Sequence, residues 1–303
     1  MPTTASQIKA LRARTGAGML DCKQALDEAG GDMEAAAQAL RTKGIAAAEG
    51  KAGRIAAEGV IAAAVGDGGG AGVLVEVNCE TDFVAKDASF RAFAEAAAGA
   101  ILAAPAAPAD VESAGELPLG DSTVDTARRE LIGKIGENIA LRRFARLDAG
   151  DGALSTYLHG VRIGVLVRLG GGDGGGDSAA LKSLGRDLAM HIAATRPLCV
   201  GEADVPADTL AREQAIFTAQ AATSGKPPEI AQKMVAGRMK KFLKENTLLG
   251  QAFVKNPEQT VAQLVKAAGA SVEAMVRFEV GEGLEKRSED FVAEVRAQAA
   301  GRT

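Results

Sequence analysis

Tryptophan is absent from this 303-residue chain, and a single tyrosine accompanies nine phenylalanines. A protein that stacks nucleobases on aromatic platforms needs more such rings, so that class is poorly supplied. Charge points the same way: 35 basic residues stand against 39 acidic ones, a net of −4, which excludes a global basic field for nucleic acid. The three cysteines, Cys22, Cys79 and Cys199, are far apart and form no CxxC. A disulfide framework and a cysteine zinc site are therefore not expected, and a reducing, cytoplasmic setting is. No apolar run approaches the roughly 20 residues that cross a bilayer, and no apolar leader is read at the N-terminus. Only two histidines occur, His159 and His191, neither in a metal-binding or nucleophile motif. With no catalytic constellation, no cofactor-binding motif and no metal set, the chain reads as a binding or regulatory protein, not an enzyme.

What is present is alanine, which favours helices but buries little area per residue. The fold expected is α+β with thin helices and shallow cores. Residues 1–50 read as a three-helix N-terminal domain: Thr4 and Gln7 form a capping-box pattern, Gly30-Gly31 ends the second helix, Asp32 caps the third and Gly44 closes it. Met19 and Leu20 form its candidate docking patch. Residues 51–148 read as one core subdomain, with Gly66 to Gly70 as a hairpin turn and Pro105 to Pro118 as a loop. Residues 149–204 and 247–284 read as a second, related subdomain with its own antiparallel hairpin and a helix from Ser178 to Thr195. His191 lies beside the apolar stripe of that helix and is expected to be a satisfied core histidine, whereas His159 ends a hairpin strand. Residues 205–246 read as an inserted antiparallel helical hairpin, a coiled coil whose first arm Asp208 can cap. Its Lys240, Lys241 and Lys244 are expected to form a solvated face. Asn256-Pro257-Glu258 reads as a helix start, residues 274–280 as a strand, and residues 285–303 as a C-terminal helical module. The glycine-rich stretch 170–176 reads as a loop and not a calcium site, since one copy cannot supply six oxygens.

One stretch organises the rest. The alternating Val73, Val75 and Val77 run into Asn78-Cys79-Glu80-Thr81, and an acid and an aromatic, Asp82-Phe83, follow where a helix begins. The ordinary reading makes Thr81 or Asp82 the N-cap and Phe83 a core residue. The functional reading makes Thr81, Asp82, Phe83 and Val84 an exposed tip.

Longer motifs decide between them. Leu11-Arg12-Ala13-Arg14-Thr15-Gly16-Ala17-Gly18-Met19-Leu20-Asp21-Cys22-Lys23-Gln24-Ala25-Leu26 resembles the N-terminal signature of the bacterial elongation factor Ts family. Glu76 to Ala85 resembles its second signature, and Ile135-Gly136-Glu137-Asn138, His159 with Arg162 to Val167, and Phe278 to Gly283 continue the match. Ala252 departs from the family's usual proline. The resemblance implies an N-terminal bundle similar to ubiquitin-associated domains, and a guanine nucleotide exchange factor without catalytic chemistry of its own. The implied partner is the GTPase elongation factor Tu, with its bound GDP and Mg²⁺ as the target. It further implies that Thr81, Asp82, Phe83 and Val84 enter the GTPase domain near the Mg²⁺ site. Ile135, Gly136, Met19, Leu20 and the C-terminal Phe291 and Val292 would contact that domain, and His159 the partner's third domain. Neither a membrane nor a direct nucleic-acid partner is expected, and a complex with two copies of each factor is allowed. A protein that holds the partner without driving exchange is the alternative reading of the same chain.

Overall fold

The computed structural model describes residues 3–171 and 179–284. Most of the expected glycine loop, and the expected C-terminal helix with Phe291 and Val292, lie outside the described residues. The fold is α+β with antiparallel pairing, and the chain divides into two compact units. One comprises 3–62, 75–144 and 279–284; the other comprises 63–74 and 145–278.

The chain opens with α1 (Ala5–Thr15), α2 (Met19–Glu28) and α3 (Met33–Glu49). The Thr4–Gln7 capping box starts α1, and Gly16, at φ 71°, ends it in the left-handed region. The Asp32 carboxylate accepts from the amides of Glu34 and Ala35 to start α3. Leu11, Cys22, Ala25, Leu26 and Ala36 form the small buried core, as much as three short helices can close around. Gly44 does not close α3, which runs on through Glu49. Its backbone instead lies against Gly133 of a later helix, and it is a Cβ on Gly133, 2.7 Å from the Gly44 Cα, that would not fit, whereas one on Gly44 would meet Gly133 at an ordinary 3.6 Å.

Strand β1 (Glu58–Val65) returns as β2 (Ala71–Cys79) through the expected glycine turn, closed by Gly66 N–H donating to Ala71 O at 2.9 Å. A single turn, α4 (Asp82–Ala85), precedes α5 (Ala88–Ala103). Asp87 restarts the helix by accepting from the Ser89 and Phe90 amides. The 105–118 segment is more ordered than a loop: Asp110 caps α6 (Val111–Gly115), and β3 (Pro118–Leu119) pairs with β4 (Ser122–Thr123). Helix α7 (Val124–Ile135) and strand β5 (Ile139–Asp148) follow, giving a sheet of order β1-β2-β5. Phe90, Ile101, Ile132 and Ile139 are fully buried, and α5 lies against α7.

Strands β6 (Ala153–His159) and β7 (Ile163–Gly171) form the second hairpin, with His159 opposite Ile163. Then come α8 (Ala179–Thr195), the long arms α9 (Ala207–Ala222) and α10 (Pro228–Asn246), β8 (Ala252–Phe253), β9 (Asn256–Thr260), α11 (Val261–Ala267) and β10 (Ala270–Glu279). The sheet order is β10-β7-β6, so the last strand among the described residues completes the second sheet. Leu181, Leu184, Leu188 and Ile192 of α8 pack on Val165, Val167 and Leu169 of β7. Two local expectations are corrected. Asp208 lies inside the first turn of α9 and makes no cap bond, because the chain enters the helix through Pro206. Asn256 begins a strand; the helix starts four residues later, where the capping box of Thr260 and Gln263 satisfies the first amides.

His191 is the expected core histidine. Its Nδ1 accepts from the Val254 amide at 3.2 Å, so the ring proton sits on Nε2, 2.9 Å from Gln251 Oε1.

Candidate functional site

The site is built from the way β2 ends. Val73, Val75, Val77 and Cys79 are fully buried, so the strand is held to its last residue. Thr81 then turns the chain with an extended backbone, and its hydroxyl accepts from the Val84 amide at 3.4 Å. Four residues make an unstable helix alone, so anchoring decides its orientation. Val84 and Ala85 provide it from below, both buried, while Asp82 and Phe83 are left on the outside.

Phe83 is 80% exposed, and every other described phenylalanine is buried or half-buried. Covering such a ring in a partner is worth about 1.5–3 kcal/mol, which the free chain leaves unused. Lys86 reaches back over the tip. Its Nζ lies 2.6 Å from Asp82 Oδ2 and 5.8 Å from the centre of the Phe83 ring. The Lys86 hydrogen bond holds the Asp82 carboxyl below the ordinary aspartate range. Asp82 is therefore an anion with a detachable partner. Cys79, beneath the tip, is no nucleophile: burial, helped by the Glu137 and Glu58 carboxylates, pushes its thiol up to about 12.

The turn before the tip is cross-braced to the loop after α7. Glu137 accepts from the Glu80 amide (3.2 Å), the Thr81 amide (3.0 Å) and the Thr81 hydroxyl (2.7 Å). Glu80 in return accepts from the Asn138 amide at 2.6 Å and pairs with Arg54 at 2.8 Å. The Asn138 side chain donates to Arg54 O at 2.7 Å. Gly136, at φ 90°, is the left-handed cap that lets α7 stop and place Glu137. Ile135 is half-buried and Gly136 exposed, and the bracing ties their loop to the turn before the tip.

Met19 and Leu20 are 51% and 83% exposed in the first turn of α2. They belong to the same unit as the tip. The preceding turn reaches the end of α7: a Cβ at Gly16 would meet the Lys134 side chain at 2.6 Å. Nearby, α3 crosses α7 at Gly44 and Gly133, flanked by the Arg41–Glu130 ion pair and by Arg129–Glu49 at 3.7 Å. Ion pairs line the cleft beside this crossing, Arg14 with Glu34 at 2.7 Å and Lys43 with Asp21 at 2.8 Å. His159 belongs to the second unit, is exposed, and has its Nδ1 3.1 Å from the Tyr157 hydroxyl. Phe291 and Val292 lie outside the described residues. Among the described residues, no cluster of His, Cys, Asp and Glu is arranged to hold a metal, and no helix is long and apolar enough to cross a membrane.

Glu80 and Glu137 had no role in the sequence reading. The bonds they make between the two loops span 56 to 58 positions, and no local pattern announces such a pairing.

A family model described as elongation factor TS matches residues 80–282. The chain is 55% identical over 298 residues to the elongation factor Ts of Methylococcus capsulatus (strain Bath), covering 98% of this chain and 99% of that protein. It is 52% identical over 301 residues to that of Alkalilimnicola ehrlichii, covering 99% and 100%. It is 53% identical over 302 residues to that of Thioalkalivibrio sulfidiphilus, again covering 99% and 100%.

Proposed function

Because the chain belongs to the elongation factor Ts family, and so serves translation elongation, we propose that it is the exchange factor for the GTPase elongation factor Tu. In this reading it binds the GDP form, promotes GDP release and leaves the site free for GTP. The observation that carries the reading is Phe83: a large apolar ring, 80% exposed, on a braced turn beside a paired aspartate.

The thermodynamics are those of linkage. A protein that binds the nucleotide-free GTPase more tightly than the GDP form must weaken GDP by the same factor. A rigid aromatic wedge suits this role, since its burial is available only when the partner opens a pocket for it. Asp82 supplies a carboxylate that can compete for groups around the partner's Mg²⁺ and phosphates once Lys86 lets go. Loss of Mg²⁺ contacts removes much of a nucleotide's affinity, because the ion bridges protein and phosphates. Met19 and Leu20 act as the docking patch of the N-terminal bundle, and Ile135 and Gly136 as the contact beside the tip. Val84 serves the tip as its buried anchor. His159 contacts the partner from the second unit, and Phe291 and Val292 complete the docking surface. The chain contributes binding energy and geometry, not bond chemistry of its own.

The test is release of a fluorescent GDP analogue from the cognate elongation factor Tu with rising amounts of the full chain. The reading requires acceleration that saturates. A stable complex without acceleration would leave a holding protein in its place.

A further inference from the structure

We infer that Glu137 is a positioning residue for exchange, clamping the Asp82–Phe83 tip to the Ile135–Gly136 loop so that both meet the partner as one preformed surface. The inference rests on the exchange reading and adds a residue whose carboxylate is committed to the backbone before the tip.

The geometry is reciprocal. A carboxylate from each loop ends on the backbone of the other: Glu137 on the amides of Glu80 and Thr81, Glu80 on the amide of Asn138. The Thr81 hydroxyl donates to Glu137 at 2.7 Å while accepting from the Val84 amide, so Glu137 also orients the cap of α4. That cap is the one the tip has, because Asp82 is turned outward to Lys86. Bonds to an ionised carboxylate are roughly twice as strong as neutral ones, and here three converge on one group. Phe83 follows two residues later with little protein around it, so its direction is inherited from this start. A tip fixed before docking avoids the ordering cost that a loose one would meet at the moment the partner opens.

Glu137 differs from a residue that merely stabilises the fold in what its loss changes. Val84, Ala85 and the buried end of β2 remain to hold the turn in place. Direction is what is lost. In Glu137→Ala the saturating exchange rate is expected to fall by about tenfold or more, the scale for losing charge-assisted hydrogen bonds at a functional contact, with a smaller change in the half-saturating concentration. Glu137→Gln keeps one acceptor oxygen for the Glu80 and Thr81 amides but loses the charge and the acceptor for the Thr81 hydroxyl, and is expected to recover part of the rate. Since Glu137 acts through the tip, the double variant Glu137→Ala with Phe83→Ala is expected to be no slower than Phe83→Ala alone.

The experiment pairs these rates with amide hydrogen exchange of the free full-length chain. Glu137→Ala is expected to speed exchange over residues 82–86 and to leave α8 unchanged. Unaltered protection at 82–86, or rate losses that multiply in the double variant, would overturn the clamp. Wild type failing to release GDP would count against the exchange reading instead, and the hydrogen-exchange result would still decide the clamp.

Discussion

Gly133 on α7 crosses Gly44 on α3 so closely that a Cβ added at Gly133 would lie 2.7 Å from the Gly44 Cα. This crossing seats the N-terminal bundle, and with it Met19 and Leu20, against the helix that ends at Ile135. Gly133→Ala forces two backbones apart and is expected to lower stability by about 1–3 kcal/mol. Gly99, mid-helix in α5, has open space where its Cβ would go. Gly99→Ala is expected to raise stability by about 0.5–1 kcal/mol. Thermal melts of the two variants check the pair, and equal shifts would contradict the close crossing.

Glu76 is fully buried at the middle of β2 and its carboxylate is shared three ways. Arg142 lies at 2.9 Å, Arg143 at 2.5 Å, and the Gly281 amide donates at 2.8 Å. The carboxylate therefore ties the end of the described chain to the sheet. Glu76→Ala removes the anion while Arg143 keeps Glu282 at 3.1 Å, and the loss of its charged hydrogen bonds is expected to lower stability by about 2–3 kcal/mol. Urea unfolding followed by circular dichroism measures it, and a loss below about 1 kcal/mol would mean that the cluster is as weak as an exposed pair.

His191 predicts a pH dependence with a definite sign. Burial disfavours the imidazolium and lowers its pKa, against a smaller upward pull from the Gln251 hydrogen bond. Above about pH 6.5 folded and unfolded chains both hold a neutral ring, and its stabilising contribution is complete. Below that, the unfolded chain takes up a proton that the folded one resists, so stability falls with pH down to the folded value. Ring NMR is expected to show the Nε2–H tautomer persisting below pH 6.5. Protonation at or above that pH would refute the buried, neutral assignment.

The local grammar of this fold was readable wherever a residue speaks for its own neighbourhood. Thr4 and Asp32 cap the helices they were expected to cap, and Gly66 to Gly70 turns a hairpin. The same grammar misled where a distant surface decides. Gly44 reads as a helix stop, yet α3 runs through it, and the glycine that the close crossing requires there is Gly133, far along the chain. Asn256-Pro257 reads as a helix entrance, yet the segment pairs with β8 and defers the helix to Thr260. At the site, Thr81 as cap was legible, while Phe83 was ambiguous because periodicity cannot tell a core ring from an exposed one. Its exposure follows from Val84 and Ala85 taking the buried positions. The Glu80–Glu137 bracing was not legible at all, since each bond joins residues more than fifty positions apart.

The wedge role of Phe83 is tested most directly by GDP-analogue release and complex affinity measured together for wild type and Phe83→Ala. A wedge requires the variant to lose most of the saturating release rate, by about tenfold or more, while complex affinity falls less. Equal losses in rate and affinity would make Phe83 an ordinary docking contact, and an unchanged rate would contradict the wedge outright.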